Sequence, residues 1–167
     1  MLATAEDLVD LAAPIRDETT IVSEHSPMGS TGAQSVSTAK AFTIIVDDDK
    51  TNRKLLSRGL QRLGYSMHQA ADGQEAVDAC RQRFVEAAGG ATCKLGLVVM
   101  DKSMPVMDGI EATRAIRAEF GDAFVIVGLT GDALGPEADE FTAAGLDGIL
   151  SKPASAKDVH RWVVGGN

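Results

Sequence analysis

The sequence predicts an α/β fold in which a parallel β-sheet is covered by helices on both faces. Five short apolar segments alternate along the chain with five segments whose apolar residues recur at helical spacing. One segment, residues 95–100, is apolar throughout, which is typical of a central strand buried on both faces. The chain has 167 residues, of which 44% are hydrophobic, so it can bury a core without a disulfide or metal to stabilise it.

The first strand and helix are predicted on either side of a run of aspartates. Residues 42–46 form an apolar, β-rich run that ends abruptly in acidic residues. Residues 50–63 follow with a helical pattern, and Gly64 is a suitable stop signal. The leucines of this helix fall on one helical side: Leu55, Leu56, Leu60 and Leu63.

The middle of the chain continues the alternation. Residues 65–70 are predicted as the second strand and residues 73–88 as the second helix. A glycine-containing loop then leads to the apolar strand at 95–100. The apolar stripe of the second helix consists of Ala76, Val77, Cys80 and Phe84.

The remaining elements are bounded by glycines. A helix at 110–120 ends at Gly121, and a helix at 137–144 is closed by Gly145. Between and after them the sequence predicts strands at 124–129 and 148–150 and a last helix at 155–164. Strands alternating with helices favour a parallel sheet with right-handed crossovers.

Residues 1–39 differ from the rest of the chain, and we expect two parts, 1–39 and 40–167. The first part has six acidic residues and one basic residue, and nine of the twenty positions from 19 to 38 are Ser or Thr. Such a composition predicts a flexible linker over 19–39. Before it, Thr4 and Asp7 resemble a capping box, and Leu8, Leu11, Ala12 and Ile15 have helical spacing. Both a fraying terminal helix and a docking or dimerising segment fit this pattern.

Composition also excludes several classes of function. The formal net charge of −8 disfavours direct binding to nucleic acid or to an anionic membrane surface. No apolar run approaches the roughly 20 residues of a membrane helix, and no secretory signal is apparent. Cys80 and Cys93 alone make no disulfide framework. We therefore expect a soluble, cytoplasmic protein that is a monomer or a weak dimer.

Polar residues stand where the predicted strands end. In parallel sheets these carboxyl ends share one edge, where ligands bind. Crowded carboxylates repel one another, and Mg²⁺ relieves that repulsion through oxygen ligands. A hydroxyl and an ammonium suit a phosphoryl group, which the remaining carboxylate can attack. These residues, which predict Mg²⁺-dependent phosphoryl transfer through an aspartate, are Asp47, Asp48, Asp49, Asp101, Thr130 and Lys152.

Four motifs in order resemble the receiver domains of two-component signalling, especially those of hybrid sensor histidine kinases. They are TIIVDDDKTNRKLL, LVVMDKSMPVMDGIEATRAIR, VIVGLTGDAL and GILSKP, and together they cover about residues 42–164. The resemblance implies a flavodoxin-like, three-layer (βα)5 sandwich with strand order 2-1-3-4-5. It also implies a phosphorelay function, with a phosphohistidine on a histidine kinase or histidine phosphotransfer protein as donor.

The resemblance assigns a role to each matching residue. Asp101 would accept the phosphoryl group, and Thr130 and Lys152 would bind its oxygens. Mg²⁺ would be held by Asp47, Asp48, Asp101 and the backbone carbonyl of Ser103. Pro105 and Gly109 would shape the adjoining loop, and Pro153 would follow Lys152 through a cis peptide bond. Ser103 and Asp132 would flank the path of the hydrolytic water and tune the lifetime of the phosphoryl-aspartate.

Two alternatives stay open from the sequence. Residues 47–51 fit the D-x-D-x-T pattern of haloacid-dehalogenase-type phosphatases, in which Asp47 is the nucleophile and Asp49 the acid/base. The second alternative is a receiver fold that binds its partners constitutively. It is suggested by Ile149, which stands where receivers often carry a switching aromatic residue. The receiver interpretation makes the chain a phosphoacceptor that changes partner binding through its fourth helix, fifth strand and fifth helix, and not an enzyme acting on other substrates.

Several residues also have a purely structural interpretation. We expect Asp49 to cap the helix that follows it and Cys80 to be a small core residue. His68 and His160 suit surface or packing positions, and Trp162 suits an anchor between the last helix and the sheet.

Overall fold

Five parallel strands form a single sheet in the order β2-β1-β3-β4-β5 within the described residues, 40–87 and 95–165, of the computed structural model. The strands are β1 (Lys40–Val46), β2 (Tyr65–Ala70), β3 (Gly96–Asp101), β4 (Phe124–Thr130) and β5 (Gly148–Ser151). The helices are α1 (Lys50–Arg62), α2 (Gly73–Glu86), α3 (Gly109–Phe120), α4 (Pro136–Ala143) and α5 (Ala156–Gly165). The expected α/β class, the alternation and the strand order are confirmed.

Some expectations fall outside this part of the chain. The capping pattern at Thr4, the linker at 19–39 and Cys93 all lie beyond the described residues. Among the residues that are described, no helix is both long and apolar enough to cross a membrane.

The strand register brings the predicted site residues to one edge of the sheet. Val46 of β1 lies opposite Met100 of β3. The residues that follow them, Asp47 and Asp101, are therefore neighbours. On the other side of β3, Asp101 lies opposite Leu129, immediately before Thr130. Chain order reverses between β1 and β3, and ligand sites of open α/β sheets form at this kind of position.

Alternating residues of each central strand feed two separate cores. Val98, Met100 and Ile126 pack towards α2, α3 and α4. Leu97, Val99 and Val127 pack on the other face, towards α1 and α5. β3 and β4 are buried along their whole length, as the continuous apolar run at 95–100 predicted.

Two side chains that the sequence predicts on the apolar stripes of helices are exposed to solvent in the structure. Leu55 is 71% exposed and Phe84 is 45% exposed. α1 meets the sheet through a narrow strip centred on Leu56 and Leu60, and Leu55 lies about 100° around the helix from Leu56. The Phe84 ring packs at a tilt of 41° against the Phe120 ring, with 5.3 Å between centroids, at the outer edge of the core.

A partly buried ion pair joins α3 to the sheet edge, and sequence reasoning did not find it. Arg117 Nη2 lies 2.6 Å from Asp147 Oδ2, which also accepts the backbone N–H of Ile126 at 2.8 Å. The same guanidinium donates to the carbonyls of Phe124 and Gly145 at 2.7 Å each. Removing one partner of such a pair leaves a desolvated charge, at a cost of about 3–5 kcal/mol.

The last helix is held by aromatic side chains, as expected for Trp162. The Trp162 ring packs so closely on Gly148 of β5 that a Cβ added there would overlap it. Nearby, the Tyr65 hydroxyl lies 2.8 Å from Nδ1 of His160, and the two rings meet edge-on. His160 is thus a packing residue that links α5 to β2.

Tyr65 is the chain's one tyrosine, and burial raises its pKa to about 12. We expect its absorbance titration to have a midpoint near pH 12, against the ordinary value of about 10. The folded state favours the neutral phenol, so this contribution to the free energy of unfolding is complete below pH 10 and is lost as the pH rises towards 12. Tyr65→Phe is the blank, and a midpoint near pH 10 in the folded protein would contradict the prediction.

Candidate functional site

Three carboxylates converge at the carboxyl edge of the sheet. One oxygen from each of Asp47, Asp48 and Asp101 lies within 4.8 Å of the other two. Asp47 and Asp101 are 1% and 3% exposed, whereas Asp48 faces solvent. Crowded oxygen ligands with one side open to water suit a hard divalent cation such as Mg²⁺.

Lys152 provides the opposing charge. Its Nζ lies 2.8 Å from Asp101 Oδ1 and 3.4 Å from Asp47 Oδ2. The side chain enters the site where β5 ends, just before the Lys152–Pro153 peptide bond, which is cis as expected. One ammonium therefore bridges the two buried carboxylates.

The site's electrostatics reflect both burial and this pairing. Burial raises the pKa of Asp101, and the charge of Asp47 raises it further, while Lys152 and the Ser103 backbone N–H act against the rise. Burial alone would lower the pKa of Lys152, but its hydrogen bonds and charge interactions with Asp101 and Asp47 outweigh that effect and raise it. A second cation at the exposed side would stabilise the Asp101 carboxylate.

The acidic turn after β1 is held by groups that sequence reasoning missed. The guanidinium of Arg53 donates to the backbone carbonyls of Asp47 and Asp48, the latter at 3.0 Å. Asp47 in turn accepts the backbone N–H of Asp49 at 2.8 Å. Its other oxygen accepts from the side-chain amide of Asn52 at 3.4 Å. The sequence feature that indicates this contact is the position of Arg53, one turn into the helix that follows the acidic run.

Asp49 caps α1, as expected. Its carboxylate accepts the backbone N–H groups of Thr51 at 2.6 Å and Asn52 at 3.3 Å, and these bonds lower its pKa. The phosphatase alternative needs Asp49 as an acid/base inside the site, but its carboxylate is committed to the helix N-terminus. That alternative also gives no role to the buried Asp101, so the geometry does not support it.

Thr130 and Asp132 are joined to one another in the loop after β4. The Thr130 side chain is 2% exposed. Its Oγ1 donates to the Asp132 carbonyl at 3.2 Å and accepts the Asp132 N–H at 3.3 Å. The Asp132 carboxylate accepts the Leu134 N–H at 3.0 Å. The hydroxyl is thus next to the site but bonded within its own loop.

The loop after β3 approaches Asp101 closely. The Ser103 backbone N–H donates to Asp101 Oδ1 at 3.4 Å, and the Ser103 side chain is exposed. The Gly109 N–H donates to the Lys102 carbonyl at 2.9 Å. A Cβ at Gly109 would overlap the Asp101 carbonyl oxygen, so this close approach requires glycine. Lys102, on the same loop, forms an ion pair with Glu137 at the start of α4.

Val106 has a strained backbone at the tip of this loop. Its φ is +69° and its side chain is 84% exposed. The N–H of Met107 donates to the carbonyl of Pro105 at 2.9 Å, which makes Val106 the centre of a tight γ-turn. A β-branched residue rarely adopts such a conformation, and exposure leaves little packing energy to offset its cost.

Cys80 is a core residue, as expected. Its thiol is buried between α2 and the sheet, and burial raises its pKa to about 12. His68 lies on the exposed side of β2 beside the Phe42 ring. Neither residue adds a ligand or a nucleophile to the site.

Comparison with known proteins identifies relatives of this arrangement. The sequence profile of the response regulator receiver domain matches residues 43–163. The two-component response regulator ORR41 of Oryza sativa subsp. japonica is 40% identical over 114 residues, which are 67% of this chain and 83% of that protein. The sensor histidine kinase RcsC of Salmonella typhimurium is 34% identical over 112 residues, which are 67% of this chain but 11% of the kinase.

A solved structure of a receiver domain shares the fold. The receiver domain of the sensor histidine kinase PA1611 from Pseudomonas aeruginosa PAO1 is 32% identical, with a TM-score of 0.61. The match covers 74% of this chain and 93% of that domain, which holds a magnesium ion in its active-site cleft.

We predict that Val106→Asn stabilises the protein by about 1 kcal/mol, because asparagine tolerates positive φ far better than valine. Chemical denaturation measures the change. Val106→Ala, which removes the branched side chain but keeps a residue disfavoured at positive φ, should give a smaller gain. Equal stability of Val106→Asn and the original chain would show that the loop relaxes without strain.

Proposed function

The chain belongs to the response regulator receiver domains of two-component signalling, and we propose that Asp101 accepts a phosphoryl group from a phosphohistidine. The observation that supports this proposal most directly is the 2.8 Å contact between Lys152 Nζ and the buried Asp101 carboxylate, within a cluster of three aspartates. The donor in this proposal is a histidine kinase or a histidine phosphotransfer protein of the cytoplasm, and no nucleic acid takes part.

The proposed transfer forms one bond to phosphorus and breaks another. An Asp101 carboxylate oxygen attacks phosphorus, and the P–N bond to the donor imidazole breaks. The electron pair stays on the imidazole nitrogen, which takes up a proton, and Asp101 becomes an acyl phosphate. Mg²⁺, when bound, would offset the charge of the phosphoryl oxygens. Its proposed ligands are the carboxylates of Asp47, Asp48 and Asp101 and the carbonyl of Ser103, all on two neighbouring strand ends.

Lys152 and Thr130 would respond to the new phosphoryl group. Lys152 already contacts the Asp101 oxygen, so a small shift of its ammonium would pair it with a phosphoryl oxygen. Thr130 would exchange its bonds with the Asp132 backbone for a bond donated to the phosphoryl group. This exchange would release the loop between β4 and α4, and a moved loop would alter the surface formed by α4, β5 and α5.

Ile149 affects how that change would spread. Its side chain is half-buried and packs against the core beneath α2, α3 and α4. An aliphatic side chain held in this way offers no aromatic ring to swing between exposed and buried positions. We therefore propose that the rearranged loop after Thr130 carries the signal. A chain that binds partners equally well with and without phosphate would instead be a constitutive binding module.

Intact-mass spectrometry tests the acceptor. Incubation with Mg²⁺ and a small phosphoryl donor should add one phosphoryl group, which Asp101→Asn abolishes and a metal chelator strongly reduces. Asp49→Asn is the matched control, because it alters a neighbouring aspartate that caps α1, and it should still be modified. Modification that persists in Asp101→Asn would refute the assignment, as would a folded original chain that stays unmodified.

The lifetime of the acyl phosphate should depend on Ser103 and Asp132. Ser103 is exposed beside Asp101, so a bulky side chain there would obstruct the approach of water. We expect Ser103→Arg to slow the loss of phosphate several-fold and Asp132→Ala to change it as well. The decay is followed by the same mass measurement, with Ser66→Arg on exposed β2 as the control. Unchanged decay in both variants would refute a role for these positions.

A further inference from the structure

α1 carries a charge opposite to that of the whole chain. The chain has a net charge of −8, yet no acidic residue occurs in α1. Its five basic residues are Lys50, Arg53, Lys54, Arg58 and Arg62. All except Arg53, which holds the acidic turn, are exposed. A basic helix on an acidic protein attracts an acidic partner.

An apolar groove of about 750 Å³ runs beside this helix. It lies between α1 and the segment that joins β5 to α5, and Asp47 and Lys152 of the site belong to its lining. Leu55, which is 71% exposed, lies on its α1 wall, Leu63 lines it just after the end of α1, and Ala156 contributes from α5. Arg62 and Lys157 supply charge to its rim. Its chemistry suits a short segment with leucine-like anchors and acidic flanks.

The same chain contains a segment with that chemistry. Leu8, Leu11 and Ile15 recur at helical spacing. The acidic residues around them are Glu6, Asp7, Asp10, Asp17 and Glu18, against the single basic Arg16. Residues 1–18 have five acidic residues and one basic residue, a net charge of −4, which is opposite in sign to the four exposed basic residues of α1. This segment has no part in the phosphoacceptor site.

The connection to β1 is long enough. Residues 19–39, whose composition predicts a flexible linker, would span about 25 Å on average. β1 has seven residues and a length of about 23 Å, which is the distance from the linker's attachment to the site edge of the sheet. A tether of this length gives an effective concentration on the order of millimolar. Weak complementary contacts then suffice for binding within one chain.

We propose that residues 1–18 dock in the groove between α1 and α5 of the same chain. Leu8, Leu11 and Ile15 cover Leu55 and the apolar walls, and the acidic residues face Arg58, Arg62 and Lys157. Because the groove adjoins Asp47 and Lys152, the docked segment competes with any protein that approaches Asp101 from this side. A second copy is a poorer occupant, since two chains of net charge −8 repel each other. The docking stands independently of the proposed function, and only the competition rests on it.

Paramagnetic relaxation in the full-length chain tests the docking. The label is a nitroxide on Ala5→Cys in a Cys93→Ser background, where Cys80 is protected by burial and a pKa of about 12. We expect the amide signals of Leu55, Gly59 and Ala156 to lose most of their intensity. The signals of Arg114 and Glu140, on α3 and α4 across the sheet, should keep theirs. Neither Mg²⁺ nor a phosphoryl donor is present, so a failed phosphorylation assay does not affect the result.

Matched variants identify the contacts. Leu8→Glu with Leu11→Glu should restore the lost signals, and so should Arg58→Glu with Arg62→Glu. Val9→Glu with Ala13→Glu adds the same charge on the side of the helical pattern opposite the leucine anchors and should leave most of the effect. Broadening that is absent, that affects all faces equally or that survives loss of both leucines would overturn the proposal. Signal loss that appears only when nitroxide-labelled chains are mixed with isotope-enriched chains would show that the groove binds a second copy. That result would also overturn the proposal.

Discussion

The pairing of one ammonium with two buried carboxylates is the interaction on which the rest of the site depends. Asp47 and Asp101 are almost completely removed from water, and a buried carboxylate without compensation is strongly unfavourable. Lys152 supplies that compensation from a third strand segment, 2.8 Å from Asp101 and 3.4 Å from Asp47. The pairing is incomplete because two negative charges face one positive charge. The remaining negative charge is what makes the site suitable for the cation proposed above.

The surrounding loops hold these three groups in place. Arg53 and the Asp49 N–H fix the turn that presents Asp47 and Asp48. Gly109 lets the loop after β3 lie against the backbone of Asp101. Val106 accepts an unfavourable φ of +69° at the tip of the same loop. The strained backbone of Val106 and the close contact at Gly109 both lie in this loop, whereas β3 and β4 beneath it are continuously buried. The rigid strands therefore set the geometry, and the loops adapt to it.

Charge is distributed over the molecule in a way that separates two surfaces. The site edge is acidic at its centre, and the exposed flank of α1 beside it is basic. The opposite layer, with α3 and α4, instead carries paired charges such as Arg114 with Glu140 and Lys102 with Glu137. The surface proposed to report phosphorylation and the groove beside α1 meet at α5, whose Ala156 and Lys157 line the groove. The two surfaces differ in their other elements, which are α4 and β5 for the first and α1 for the second.

Sequence patterns were enough to predict the alternation of strands and helices, the aspartates and lysine at the strand ends, and the capping role of Asp49. Each of these depends on local spacing, and parallel strands bring their carboxyl ends to one edge whatever the details of packing. Three features became visible only in the folded chain: Leu55 is exposed, Arg117 pairs with Asp147, and Thr130 bonds to the Asp132 backbone. Helical periodicity gives the side of a helix but not the width of its contact with the sheet. Ion pairs between residues thirty positions apart depend on where separate elements pack, which no local pattern encodes.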